Sequence, residues 1–95
     1  MNAEHTPRFA LGQVVATPGA LASMEEAGQN PLDLLMRHQS GDWGELDEED
    51  KAENELSVRE GFRILSAYVL STKVKVWIIT ESDRSATTFL LPEEY

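Results

Sequence analysis

The hydrophobic pattern changes its period at Phe62, and this change limits the folds that the chain can adopt. From Phe62 onward apolar side chains recur with a period of about two in "FRILSAYVL", "VKVWIIT" and "TTFLL", which is typical of half-buried strands. Before Phe62 the pattern is helical, apart from a short apolar run at 13–16. The sequence therefore predicts an α+β domain of order β-α-α-α-β-β-β. We expect a three-stranded antiparallel meander, plus a short N-terminal strand, with the helices packed on one face.

Three helices are predicted from the residues that begin and end them. Each begins after a side chain whose oxygen can accept a backbone N–H bond, and each ends at a glycine that tolerates the left-handed conformation. The caps are Thr17, Asn30 and Asp47, and the closing glycines are Gly28, Gly41 and Gly61. The predicted core residues are Leu21, Leu35, Leu56, Ile64 or Leu65, Val76, Ile78 and Leu90.

The length and composition favour one small domain. Ninety-five residues suit a single domain, which we place at 9–95, after a flexible N-terminal tail at 1–8. The chain contains no cysteine, which excludes a disulfide scaffold and thiolate metal sites. It also contains no signal-peptide pattern and no apolar run of the roughly 18 residues that a membrane span needs. We therefore expect a soluble, cytoplasmic protein that does not bind membranes.

The charge is strongly acidic and unevenly distributed. Seventeen acidic residues face eight basic ones, a formal charge of −9, which disfavours direct binding of nucleic acid or anionic lipid. Nine of the acidic residues and only two basic ones lie in 42–60. The helix predicted in this segment has few apolar residues, so most of its surface should carry charge. Such a surface attracts basic protein surfaces, although acidity alone also serves solubility.

The acidic segment does not have the spacing of a calcium loop. An EF-hand needs oxygen ligands at positions 1, 3, 5 and 12, with glycine at position 6. A loop that begins at Asp42 has Gly44 and Leu46 at positions 3 and 5, and one that begins at Asp47 has Lys51 at position 5. Carboxylate pairs at helical spacing are expected by chance in so acidic a run. The sequence therefore predicts no metal site and no cofactor.

One alternative is a small enzyme, or a toxin-type domain similar to RelE/ParE, whose order of elements is similar. Its reactive groups would be His38, Asp42 and the loop with Asp83 and Arg84. His38 and Asp83 have structural explanations as well: a helix C-terminus stabilises a protonated His38, and Asp83 suits a turn. The chain has no nucleophile motif or phosphate loop, and its sheet has few basic residues to hold RNA. Our preferred interpretation therefore assigns no catalytic residue.

The acidic segment, which lacks the spacing of a metal site, can also be interpreted as a recognition surface. Carboxylates on successive helical turns lie roughly 5–6 Å apart, close to the spacing of phosphates along a nucleic-acid strand. Trp43 is either an interface anchor or a ring that covers the end of the helical layer. The predicted partner-binding residues are Asp42, Trp43, Glu45, Asp47, Glu48, Glu49, Asp50, Glu53 and Glu55.

Four segments carry a resemblance to a known family: "GQVVATPGAL", "RHQSGDWGELDEEDKAENE", "GFRILSAY" and "WIITESDRSATTFLLPEEY". Together they make the chain similar to small uncharacterised proteins encoded on plasmids and integrative elements. The resemblance implies a setting in bacterial mobile DNA, and it implies no catalytic residues.

Three hypotheses for function follow. The preferred one is a non-enzymatic interaction protein that binds a basic, nucleic-acid-binding partner, as a counter-defence inhibitor of restriction or CRISPR systems with a DNA-like acidic face. The second is the small enzyme or toxin-type domain. The third is an accessory subunit of a larger complex.

Overall fold

The computed structural model describes residues 6–95 of the chain. Its helices are α1 (Pro18–Ala27), α2 (Pro31–Ser40) and α3 (Glu48–Glu60), and its strands are β1 (Gln13–Ala16), β2 (Ile64–Val69), β3 (Lys75–Thr80) and β4 (Ala86–Leu90). The predicted caps are present, because Thr17, Asn30 and Asp47 each accept a backbone N–H bond. Within 6–95 no helix is both long and apolar enough to cross a membrane.

The four strands form one mixed sheet in the order β1-β4-β3-β2. The meander is present, because β2 and β4 both pair antiparallel with β3. The N-terminal strand joins it parallel to β4, with Gln13 opposite Ala86 and Ala16 opposite Phe89. The α+β class is therefore confirmed, whereas the sheet is mixed and not purely antiparallel. The parallel pairing is possible because α1, α2 and α3 intervene between β1 and the meander, which gives the chain room to return.

One face of the sheet, here called the inner face, carries the hydrophobic core. Met24 of α1 and Leu34 of α2 pack there against Tyr68, Ile78 and Phe89 of the strands. All five side chains are at most 3% exposed. Burial of this kind contributes roughly 1.5–3 kcal/mol for each large apolar side chain, so this face supplies most of the hydrophobic stabilisation.

Part of the predicted core is wrong. Val76, Ile78, Ile64 and Leu90 are buried as expected, but Leu21 is 51% exposed, Leu56 is 36% exposed and Leu35 is only partly buried. Each of the two short helices α1 and α2 carries apolar residues on more than one side, so packing against the sheet selects the buried set. That set is Ala20, Met24, Leu34 and His38.

α3 lies along the free edge of β2 and does not join α1 and α2 on the inner face, which corrects the prediction that all helices share one face. Asn54 donates to the carbonyl of Leu65 at 2.7 Å and accepts from its N–H at 3.2 Å. Two residues further along the strand, Ala67 makes two backbone bonds to the turn before α3, with the carbonyl of Trp43 and the N–H of Glu45. The outer edge of β2 is therefore covered, and this protects it from pairing with another chain.

Gly44 allows the turn to approach β2 so closely. Its φ is +80°, and a Cβ atom at this position would collide with the carbonyl oxygen of Ala67. A residue with a side chain would have to move this turn away from the sheet.

The N-terminal segment contacts the same region. Of the predicted flexible tail, residues 1–5 lie outside the described part of the chain. Arg8 lies within it and makes a two-bond ion pair with Glu55 of α3, at 2.8 and 3.0 Å, while its N–H bonds the carbonyl of Gln39. Phe9 follows and stacks on Trp43. Arg8, the last residue of the predicted tail, is therefore held against α3 and the end of α2.

Candidate functional site

Six carboxylates around the start of α3 point into solvent, and we refer to them as the acidic face. Their position has a local cause, because Asp47 caps the helix and acidic residues in a first helical turn are favoured by the helix dipole. All six are exposed, as the sequence predicts, and Glu48 is exposed over 94% of its side chain. Among residues 6–95, the one ion pair they make is Glu48 with Lys51, at 3.7 Å. The acidic face consists of Glu45, Asp47, Glu48, Glu49, Asp50 and Glu53.

The other three predicted partner-binding residues are occupied within the molecule. Asp42 accepts two bonds from Arg37, at 2.7 and 3.3 Å, and these bonds lower the pKa of its carboxyl. Glu55 accepts from Arg8, which lowers its pKa, and also from the indole N–H of Trp43 at 3.0 Å. The Trp43 ring is only 4% exposed. Of the two roles considered for Trp43, the structure therefore shows the packing role.

A groove lies beside the acidic face, on the outer face of the sheet. Its floor consists of the outward-facing side chains of β2 and β3, and one wall is the segment from the turn to the middle of α3. The volume is about 610 Å³, within the range of roughly 300–1,000 Å³ that is usual for ligand clefts. The floor residues are Leu65, Ala67 and Trp77, and the acidic wall is formed by Glu45, Asp47, Asp50 and Glu53.

Helical spacing explains which carboxylates face the groove. Asp47, Asp50 and Glu53 follow one another at intervals of three residues, so they lie on one side of α3. Asn54 is the next residue on that side, and it is held against the backbone of β2. The bonds of Asn54 thus set the rotation of the helix and direct these three acidic residues over the sheet.

Basic groups occupy the two ends of the groove. Arg63 precedes β2, and Lys75 begins β3, where it pairs with Val69 at the far end of β2. The six steps from residue 63 to residue 69 correspond to about 20 Å along a strand. Arg63 donates to the hydroxyl of Tyr95 at 2.6 Å, and the Tyr95 ring contacts Trp77 edge-on. The groove therefore has an acidic wall, an apolar floor and basic ends.

His38 belongs to a hydrogen-bonded chain beneath the opposite face of the sheet. The chain ends at the Leu11 carbonyl, which accepts from Thr87 at 2.7 Å. Thr87 must then accept from Thr80 at 2.8 Å, and Thr80 must accept from Nε2 of His38 at 2.8 Å. This leaves Nδ1 of His38 to accept from the hydroxyl of Ser66 at 2.6 Å. Every donor in the chain has an acceptor when the imidazole is neutral.

The neutral state of His38 corrects one expectation. The sequence predicted a protonated imidazole stabilised by the C-terminus of a helix, and the helix does end nearby, at Gly41. However, the ring is fully buried, and burial lowers its pKa from 6.5 to about 3. His38 therefore has a structural role at neutral pH without a charge.

The residues of the enzyme alternative do not meet in the groove. His38 is enclosed among hydroxyl groups, and Asp42 is paired with Arg37 on the surface. Arg84 donates to the carbonyls of Phe62, at 2.7 Å, and Ser57, at 2.9 Å, and to two carbonyls of its own turn. Arg84 thereby joins the turn between β3 and β4 to the junction of α3 with β2. Asp83 caps the same turn by accepting from the N–H of Ser85, as the sequence predicts.

The described residues also give no geometry for a metal ion. Nowhere in 6–95 do three histidine or acidic side chains come close enough together to hold one. The carboxylates of the acidic face are spread along a helix and a turn. What the arrangement can do is bind cationic groups at several points.

Sequence reasoning missed the floor and the basic ends of the groove. The signal was present in the alternation of β3. Lys75, Trp77 and Ile79 point to one face of the strand, and the buried Val76 and Ile78 point to the other. Two short helices cover only one face of a sheet, so the alternation leaves the second face of the strands available as a binding surface.

Comparisons of the chain with protein-family models, with curated proteins and with solved structures gave no match. The resemblance to proteins of plasmids and integrative elements therefore remains a prediction that depends on four sequence segments. The candidate site is defined by the chain's own residues: the acidic face and the groove beside it.

Proposed function

We propose that this chain is a non-enzymatic interaction protein that binds a basic surface of a partner protein through its acidic face. The observation that carries the proposal is that six exposed carboxylates are concentrated around the start of α3 and four of them line one groove, while within residues 6–95 a single lysine pairs with one of the six. Elsewhere in the molecule, carboxylates such as Asp42 and Glu55 are paired with arginine. Solubility requires charge but not its concentration at one site.

The finer form of the proposal is a counter-defence inhibitor. Carboxylates at helical spacing approximate the spacing of phosphates, so an acidic helix can occupy the groove of a protein that binds DNA. The resemblance to proteins of mobile elements supports a bacterial nuclease or a CRISPR component as the partner. An accessory subunit would use the same acidic face, and the identity of the partner distinguishes the two.

Capture of partners from a bacterial lysate tests the general proposal. The test variant carries Glu48→Gln, Glu49→Gln and Asp50→Asn, which removes three charges from the acidic face. The matched control carries Glu25→Gln, Glu26→Gln and Asp33→Asn, which removes three exposed charges from α1 and α2. We expect the test variant to lose a protein that both the wild type and the control retain.

Salt dependence provides the second readout. Exposed charges are screened over about 8 Å at physiological ionic strength, so the captured protein should elute as salt is raised. Equal capture by the test variant and the wild type, with equal salt sensitivity, would show that the acidic face serves solubility only.

Transformation of a restricting bacterium tests the finer form. Expression of the wild-type chain should raise the yield of transformants from unmodified plasmid DNA, and expression of the test variant should not. An unchanged yield with several restriction and CRISPR systems, together with successful capture of a basic partner, would favour the accessory subunit.

A further inference from the structure

We infer that the groove receives a short extended segment of the partner, in which apolar side chains contact Trp77 and lysine or arginine side chains reach the acidic wall. This inference rests on the proposed function and adds the chemistry of the bound segment. The acidic wall, which is four of the six residues of the acidic face, and the outer face of the sheet would then form one binding site.

The floor is the first argument. Trp77 is only partly buried, although its neighbours across the sheet, Ala67 and Leu90, are 1% and 7% exposed. Tyr95 touches the indole edge-on, at 5.7 Å between ring centroids, and leaves the groove open beside it. Partly exposed tryptophan next to a concave apolar surface is typical of the residues that dominate binding energy.

The charge pattern selects the occupant. Four carboxylates line one wall, while Arg63 and Lys75 lie at the ends, about 20 Å apart. Arg63 is already held by the hydroxyl of Tyr95. Cationic side chains of a bound segment are therefore attracted to the middle of the groove, along α3, and are repelled at its ends. Acidic side chains would instead be repelled in the middle of the groove and attracted to its ends.

Size favours an extended segment. A volume of about 610 Å³ suits a ligand of a few side chains, whereas a helix with its side chains is about 10–12 Å across. An extended chain places alternate side chains on opposite sides. Apolar residues can then contact the floor, while the long stems of lysine or arginine bend toward the rim and keep their charges in water.

Two tryptophans of unequal exposure make the inference measurable. Trp43 is 4% exposed, so acrylamide quenching of the folded protein reports mainly on Trp77. The probe is an eight-residue peptide of alternating lysine and valine. Its controls are the glutamate–valine peptide, a lysine–serine peptide of equal charge, and spermine. We expect only the lysine–valine peptide to protect Trp77 from acrylamide at low salt.

Calorimetry on two variants gives the second readout. Trp77→Ala should weaken binding of the lysine–valine peptide about tenfold, which corresponds to about 1.4 kcal/mol. Phe62→Ala removes a 52% exposed aromatic ring outside the groove and should leave binding unchanged. Circular dichroism establishes that each variant is folded, and the quenching experiment needs no variant.

The outcomes separate this inference from the proposed function. Capture of a basic protein that depends on the acidic face, with no protection of Trp77 by the lysine–valine peptide, would overturn the groove inference alone. Equal protection by spermine or by the lysine–serine peptide would also overturn it, because charge without an apolar contact would then suffice. Loss of both capture and protection would overturn both proposals.

Discussion

The two faces of the sheet use polar residues in opposite ways. On the inner face, Ser66, Thr80 and Thr87 are fully buried and joined through His38 in one chain of hydrogen bonds. On the outer face, charged groups surround Trp77, and most of them find no ionic partner within residues 6–95. Both patterns come from the same strands, whose successive side chains point to opposite sides.

This difference indicates where the structure is fixed and where it is available for binding. Buried polar groups cost free energy unless they are paired, so a completed chain on the inner face specifies one packing arrangement. Exposed carboxylates contribute little to stability and remain free to pair with another molecule. The inner face therefore accounts for the fold, and the outer face is the part that a partner can reach.

The largest expected effect is on the inner face, from Leu34→Ala. Leu34 is 3% exposed in the core, so its truncation should lower the free energy of unfolding by roughly 2–5 kcal/mol. The matched control on the same helix is Leu32→Ala, at a position that is 61% exposed, and it should change the stability by less than about 0.5 kcal/mol. Urea denaturation measures both. Equal midpoints for the two variants would contradict the observed orientation of α2.

The next effect compares adjacent residues of β4. Thr87→Val removes one hydroxyl from the buried chain and leaves Thr80 and the Leu11 carbonyl without their partner. It should destabilise the protein by about 1–3 kcal/mol. Thr88→Val lies on the outer face, where Thr88 is only partly buried, and should cost less than about 0.5 kcal/mol. A larger loss from the Thr88 variant would reverse the assignment of the two faces.

Mild acid should also act through the inner face. The folded pKa of His38 is about 3 and its ordinary value is 6.5, so the unfolded state takes up the proton first as pH falls. The stability contributed by the neutral imidazole is therefore fully present above pH 6.5. Below this pH the free energy of unfolding falls by up to about 1.4 kcal/mol per pH unit, until pH approaches 3.

The control for this pH dependence is His38→Gln, measured between about pH 6.5 and 5.5, above the ordinary pKa values of the carboxyls. The variant should be less stable at pH 7 but should lose less stability across this interval. Charge repulsion and His5 are common to both proteins, so the difference isolates His38. Parallel stability profiles would mean that the imidazole takes up its proton as readily in the folded state as in the unfolded state.

The smallest expected effect is on the outer face. Glu53→Gln removes an exposed charge that makes no ion pair within the described residues, so the free energy of unfolding measured in urea should change by less than about 0.5 kcal/mol. The salt dependence of partner binding should nevertheless decrease. A clear loss of stability with unchanged binding would give Glu53 a structural role.

Local features of the fold were predictable from the sequence. Thr17, Asn30 and Asp47 cap their helices because each cap depends on groups a few residues away. The turn capped by Asp83 follows from the same short-range chemistry. The strands of the meander were also found, because alternation of side chains is a property of the segment itself.

Contacts between distant segments were not predictable. Burial of His38 depends on Ser66 and Thr80, which lie 28 and 42 residues further along the chain. The parallel pairing of β1 with β4 is equally remote in sequence. A hint was available, because Ser66, Thr80 and Thr87 share the inward register of Ile64 and Ile78, and polar residues at such positions need a buried partner. The exposure of the acidic residues around the start of α3 was predicted, whereas the groove with its floor around Trp77 required the placement of α3 beside β2.

Amide chemical-shift mapping by NMR with the lysine–valine peptide tests the central claim most directly. The account predicts that the shifted amides cluster at 45–53, 63–67 and 75–77, around the groove of the outer face. Amides of α1 and the first turns of α2 should not move, and the shifts should vanish at high salt. Shifts concentrated on α1 and α2, or spread evenly over the surface, would contradict the assignment of binding to the acidic face and its groove.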